Sequence, residues 1–164
     1  MNKIMLTLAA VMTLHLAACA QNKGGNDMQT ESKTLVVYFS ATGNTAQAAR
    51  MIADATKGTL YEIVPQQPYT SADLNWNNKQ SRSSQEMNNP QARPKLKEGK
   101  AAVGTADVVF IGYPIWWNQA PRVVNTFIES NDLKGKRLIP FATSGGSSIT
   151  NSVKELKRTY PTLQ

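Results

Sequence analysis

From Lys33 onward, continuous apolar runs alternate with amphipathic, small-residue runs. Residues 34–39 (TLVVYF) are apolar and β-branched throughout, the pattern of a strand buried on both faces of a parallel sheet. Residues 45–57 read as a helix with a small-residue face at Ala46, Ala49 and Ala53, and Gly58 ends it. Residues 59–64 (TLYEIV) and 107–113 (DVVFIGY) are the second and third strands. Pro121 opens a helix at its first turn, with Val123, Val124, Phe127 and Ile128 on one face. Residues 136–142 (KRLIPFA) form a fourth strand and 149–158 a further helix. Alternation of this kind predicts right-handed crossovers and a doubly wound α/β sheet. Between strands two and three lies a polar stretch, residues 65–100, rich in Asn, Gln, Ser and Pro, with a helical hint only at 81–87. A connection of that length is either functional or poorly ordered.

The first 18 residues break the pattern. Lys3 is followed by a nearly unbroken apolar run that ends Leu16-Ala17-Ala18-Cys19. Such a run, with small residues at its end, predicts a secretory signal peptide over 1–18 and not a spanning helix. Its ending resembles the bacterial lipobox, which makes Cys19 the lipidated first residue of the mature chain. Ala20 follows where an Asp would mark inner-membrane retention, so the expected address is the cell envelope on the periplasmic side, at the outer membrane. Residues 19–32 are polar and Gly-rich and read as a tether, with a reach of roughly 20 Å as a flexible coil. The folded domain is expected over 33–164.

Cleavage there would change the available chemistry. His15, the sole histidine, leaves with the signal, and Cys19, the sole cysteine, is used as the anchor. The mature chain then has no imidazole and no free thiol, which argues against Ser-His-Asp hydrolysis, His or Cys metal sites and dithiol exchange. No catalytic side chain and no metal ligand is predicted. Redox chemistry would have to come from a bound cofactor. The formal charge of the 164-residue chain is +7. Without aromatic-basic interleaving or a recognition-helix pattern, that charge reads as a solvated basic surface near lipid head groups, and no nucleic-acid partner is expected.

Three loops carry the candidate chemistry, and all follow strands that end on one edge of the sheet. Ser40-Ala41-Thr42-Gly43-Asn44-Thr45 joins the first strand to the first helix. Outward amides, a helix N-terminus and hydroxyls suit a phosphate, and Gly43 admits backbone angles closed to other residues. Lacking a lysine, it is not a triphosphate loop, nor is it G-x-G-x-x-G. A plain helix cap is the alternative. Pro114-Ile115-Trp116-Trp117-Asn118 follows the third strand; adjacent tryptophans there want a flat cover, unless they cap the core. Thr143-Ser144-Gly145-Gly146 follows the fourth, as a small-residue loop that a ligand can approach or as a simple turn.

YFSATGNT, IGYPIWW with its proline helix, and PFATSGGS resemble the three FMN-binding loops of the flavodoxin family, in its small single-domain lipoprotein branch. SRSSQEMNNPQARP is similar to that branch too. The resemblance implies a flavodoxin-like sheet of order 2-1-3-4-5. Ser40, Ala41, Thr42, Gly43, Asn44 and Thr45 would hold the FMN phosphate. Pro114, Ile115, Trp116, Trp117 and Asn118 would line one side of the isoalloxazine, with Trp116 or Trp117 stacked on it. Thr143, Ser144, Gly145 and Gly146 would line the other. Asn118 stands where many relatives have Gly, at a peptide that turns when the flavin is protonated. The basic charge departs from acidic flavodoxins and implies a redox partner with an acidic face. After Arg158 the sequence offers no fifth strand or closing helix, so strand four is expected as an exposed apolar edge in a domain of low stability. The function implied is FMN-dependent electron transfer. The alternatives are an NAD(P)H-dependent FMN quinone or flavin reductase and a non-redox lipid-anchored binding module.

Overall fold

The computed structural model describes residues 33–163. The predicted signal peptide, tether, His15 and Cys19 lie outside the described residues. Four parallel strands form one sheet, β1 (Thr34–Tyr38), β2 (Thr59–Glu62), β3 (Val108–Pro114) and β4 (Arg137–Thr143), in the order β2-β1-β3-β4. The helices are α1 (Asn44–Thr56), α2 (Arg82–Asn88), α3 (Arg122–Ser130) and α4 (Thr150–Thr159). This is the expected doubly wound order for the four strands present, with β4 at an edge.

Side-chain alternation along β1 explains the layering. Leu35, Val37 and Phe39 enter one core with Val109, Ile111, Tyr113, Val123, Val124 and Phe127, which places α3 on that face. Val36 and Tyr38 enter the other, against the alanine stripe Ala46, Ala49 and Ala53 of α1. Small residues let α1 lie close to the sheet. The same economy appears at Gly112, where a Cβ would stand 2.0 Å from the Phe141 ring. At the edge, β4 is only partly buried and carries Pro140, a residue confined to edges because it lacks an N–H.

The long polar stretch is tied down at many points. Gln66 and Lys97 donate backbone N–H groups to Lys95 and Val64 carbonyls at 2.8 Å each. Arg93 forks onto Glu129 with two contacts of 2.8 Å, and Asn131 holds both Gly99 O and the Ala101 N–H. Ser81 caps α2, accepting from the Ser84 N–H at 3.3 Å. Arg122 reaches across from α3 to the far end of α2, donating to Glu86 O at 3.3 Å and Met87 O at 3.0 Å. A cation at that helix terminus meets the negative end of the dipole. Of the two readings open for a connection this long, the structure shows an ordered one.

Candidate functional site at the carboxyl edge of the sheet

Parallel strands end together, so the loops after β1, β3 and β4 meet at one edge. The first turns on Gly43, which has φ +91 and is the N-cap of α1. Ser40 Oγ accepts the Gly43 N–H at 3.1 Å, closing a tight turn. No side chain caps α1 and no acidic residue sits in its first turn, so its N-terminal amides and dipole are left for an outside anion. Thr42 and Asn44 are exposed there. Thr45 behaves differently. It is buried, and its hydroxyl bonds Thr143 Oγ1 at 2.7 Å, joining the first loop to the fourth strand.

The second loop is a two-residue hairpin. Trp116 and Gln119 exchange backbone hydrogen bonds of 3.0 and 2.8 Å, while Trp117 (φ 48) and Asn118 (φ 59) occupy the left-handed region. Two positive φ values in succession define the turn that matches strand twist, and asparagine suits it. Tryptophan does not, so its backbone is held under strain at this point. Asn151 of α4 donates to the Asn118 carbonyl at 3.0 Å and braces the turn. The turn leaves the adjacent tryptophans with different degrees of cover. Trp116 packs edge-on against Phe39 and Tyr69, with centroids 5.6 and 5.2 Å away. Trp117 is 42% exposed and faces the cleft.

That cleft has a volume of about 410 Å³, within the range of small-molecule sites. Ala41 and Thr42 line it from the first loop, and Pro114, Ile115, Trp116 and Trp117 from the second. Its remaining wall comes from the long stretch, as Leu74, Trp76 and Ser83. Sequence reasoning missed these three. The available signal was Leu74 and Trp76 as an apolar pair in an otherwise polar run. Trp76 is 71% exposed, a second indole that the protein leaves largely open. Behind this wall Tyr69 anchors the segment. The Arg82 guanidinium lies 4.1 Å from its ring centroid, and its hydroxyl donates to Glu86. Burial, followed by the Glu86 hydrogen bond, holds the Tyr69 hydroxyl far above the ordinary tyrosine range, so it stays neutral.

Thr143, Ser144, Gly145 and Gly146 do not line this cleft. They adjoin it through the Thr45 bond and through the Ile115 N–H, which donates to Thr143 O at 2.9 Å. Ser144 Oγ accepts the Gly146 and Ser147 N–H groups, and a Cβ at Gly145 or Gly146 would meet nothing within 4 Å. The loop is thus shaped by its own serine and open to an approaching group. Asn118 likewise lies beside the cleft and not in its wall. Among the described residues no cluster of His, Cys, Asp and Glu is arranged to hold a metal ion.

A doubly wound parallel sheet with an anion-directed turn and uncovered aromatic faces at its carboxyl edge defines a flavin-nucleotide type of fold. The flavodoxin family model matches residues 33–164, and the chain belongs to that family. It is similar to a crystal structure designated a flavoprotein from Bacteroides eggerthii DSM 20697, with 66% identity, covering 80% of this chain and 83% of that one, at a TM-score of 0.79. A second, from Bacteroides uniformis ATCC 8492, shares 56% identity over 80% of this chain and 85% of its own, also at 0.79. A flavoprotein from Lactobacillus acidophilus NCFM, solved in complex with FMN, shares the fold at 20% identity and TM-score 0.67, covering 81% of this chain and 89% of that one. No curated protein matches the chain.

Proposed function

We propose that this chain binds one FMN in the cleft and serves as an electron carrier at the cell envelope. The observation that carries the reading is a convergence at one edge: a lysine-free turn of hydroxyls and amides opens an uncapped helix, beside two large indole faces left bare. The residues present fit the group. A doubly negative phosphate is matched by backbone N–H groups, the α1 dipole and the side chains of Ser40, Thr42 and Asn44. A flat tricyclic ring is matched by Trp117 and Trp76, with Ile115 and Leu74 excluding water. Thr143, Ser144, Gly145 and Gly146 are assigned to the ring's other margin.

FMN, when bound, supplies the electron-transfer chemistry. The chain's own part is to hold, orient and shield it. Gly43 sets the phosphate turn, Thr45 locks that turn to β4, and Tyr69 with Trp116 backs the stacking wall. No acid, base or nucleophile is required of the side chains. The remaining elements of the proposal come from the sequence: export by the segment 1–18, anchoring through lipidated Cys19 at the outer membrane, and a redox partner with an acidic face that complements the basic chain.

Purification tests the cofactor directly. A yellow protein that releases FMN in acid is expected, and replacing Thr42 and Asn44 by leucine should abolish flavin retention. A colourless protein indifferent to added FMN, or unchanged affinity in the double variant, would overturn the assignment. Anaerobic mixing of the flavin-loaded protein with NADPH separates carrier from reductase. The carrier leaves the flavin oxidised, whereas rapid bleaching would make the chain a reductase.

A further inference from the structure

The two ends of the sheet differ in charge. The segments that follow the four strands, residues 39–43, 63–72, 115–121 and 144–149, contain no charged residue. The segments that lead into the strands are basic. Lys33 precedes β1, Lys57 precedes β2 and Lys100 lies in the approach to β3. Lys134 and Lys136 lead into β4, and Arg137 opens it.

The ladder sets these groups side by side. The Asp107 N–H donates to Lys33 O at 2.8 Å and the Arg137 N–H to Asp107 O at 3.0 Å, so β1, β3 and β4 start in line. Lys136 Nζ donates to Gly104 O at 3.2 Å, tying the approach to β4 to that of β3. Asn131 holds the Lys100 loop at the same end through Gly99 O and the Ala101 N–H. Lys33 and Lys57 line one cavity there. Lys33, Lys100, Lys134 and Arg137 are exposed, and neither they nor Lys136 form an ion pair with a described carboxylate. The carboxylates at or beside this end are Asp54, Glu98, Asp107 and Asp132. Two of them take backbone donors, Asp107 the Lys33 N–H at 2.9 Å and Asp132 the Lys134 N–H at 3.1 Å. The balance at this end is positive.

Two observations select what covers it. The chain enters the folded domain at Lys33, on this end, and Cys19, the proposed anchor, precedes it by a stretch whose reach as a coil is roughly 20 Å. The flavin cleft is at the opposite end of the strands. The seven residues of β3, at about 3.3 Å each, put roughly 20 Å between the two. That exceeds the Debye length of about 8 Å at physiological salt, so charges docked at the basic end are screened from the cleft. A redox protein docked there would also stand on the wrong side of the sheet for electron exchange.

We propose that the amino end of the sheet rests on an anionic phospholipid surface, with Lys33, Lys100, Lys134, Lys136 and Arg137 on the head groups and the cleft turned away from the membrane. The inference deepens the proposed envelope anchoring and rests on it. An anchor alone leaves the domain free to present any face, whereas each Lys or Arg at such a surface multiplies the attraction about fivefold.

Amine acetylation of the chain isolated from cells, read by mass spectrometry, tests it on two kinds of vesicle: neutral phosphatidylcholine, and phosphatidylcholine mixed with phosphatidylglycerol. At low ionic strength the anionic vesicles should protect Lys33, Lys100, Lys134 and Lys136 relative to the neutral ones. Lys79 and Lys154, exposed on other parts of the fold, should react equally on both. The protection should vanish at about 1 M salt, where the Debye length is about 3 Å. Lys134→Gln combined with Arg137→Gln should lower the preference for anionic over neutral vesicles about 25-fold, at fivefold per charge. The mass of the N-terminal peptide reports separately whether Cys19 carries lipid. A lipid-free cysteine would remove the anchor, while the protection pattern still decides which face meets the surface. Uniform protection, protection centred on Lys79 or Lys154, or identical patterns on the two vesicle types would each overturn the proposal, the last leaving the basic end to an acidic protein.

Discussion

Gly43→Ala isolates the backbone of the anion-directed turn from everything else in the molecule. A Cβ built at Gly43 meets nothing within 4 Å, so the substitution creates no clash. It removes no side chain and no hydrogen bond. What remains is the conformation, φ +91, which costs an L-residue about 1–2 kcal/mol relative to the right-handed region. That cost divides in a way that reports on the site. If the turn keeps its shape without flavin, the apo protein loses the full amount and FMN affinity is unchanged. If the turn relaxes, the apo protein loses little, and FMN must restore the strained shape, binding about 5- to 30-fold more weakly. Either way the sum of the two losses is fixed near 1–2 kcal/mol. Urea unfolding of the apo protein and fluorescence titration with FMN measure both parts. Gly104→Ala is the control: its Cβ is equally free of contacts, its φ is not in the left-handed region and it belongs to none of the loops assigned to FMN, so both readouts should hold. A summed loss for Gly43→Ala below about 0.5 kcal/mol would refute the claim that this glycine is required for its angle.

The tryptophan pair should separate stability from binding. Trp116→Ala removes edge-on contacts with Phe39 and Tyr69 and should cost about 2–4 kcal/mol of stability in denaturant, whereas Trp117→Ala should weaken FMN by about 1–3 kcal/mol, the value of one stacked aromatic face. At high pH, Tyr160 is pushed up to about 12, first by burial. The unfolded chain releases that proton near pH 10, so the stability this group contributes is complete below pH 10 and is lost as pH climbs toward 12. Tyr160→Phe should flatten that part of a stability–pH curve. At low pH, the Arg93 hydrogen bond holds the Glu129 carboxyl below the ordinary glutamate range. Its contribution is present above about pH 4.3 and fades as pH falls through the lowered value, and Arg93→Met should remove that acid dependence in thermal melts.

The two central strands, β1 and β3, were legible because they are buried on both faces. Continuous runs such as 34–39 and 107–113 admit few other readings, and α1 and α3 show their apolar stripes plainly in the sequence. Strand ends shifted by a residue or two, as expected where the last ladder bond and not composition sets the boundary. Residues 65–100 were opaque for a physical reason. Their order comes from scattered long-range contacts, Arg93 with Glu129, Asn131 with Gly99, Arg122 with the end of α2, and none of these leaves a periodic trace. The wall they add to the cleft, through Leu74, Trp76 and Ser83, was hidden with them.

The dipeptide Trp116-Trp117 shows where a sequence argument reaches its limit. Composition says only that two indoles at a strand end need cover, from a ligand or from the core. How much cover each one takes is decided by a turn that forms two residues later in the ladder. Gln119 pairs back to Trp116, and this forces Trp117 and Asn118 into the left-handed region. Both then border the cleft, Trp116 half-buried on Phe39 and Tyr69 and Trp117 the more exposed. Asparagine at 118 accepts that backbone angle without a glycine, and the Asn151 amide bracing its carbonyl adds a restraint that composition cannot show. The strain left on Trp117 is tolerable only because strand pairing on one side and α4 on the other over-determine the turn, and positions of that kind are where a fold invests in a site.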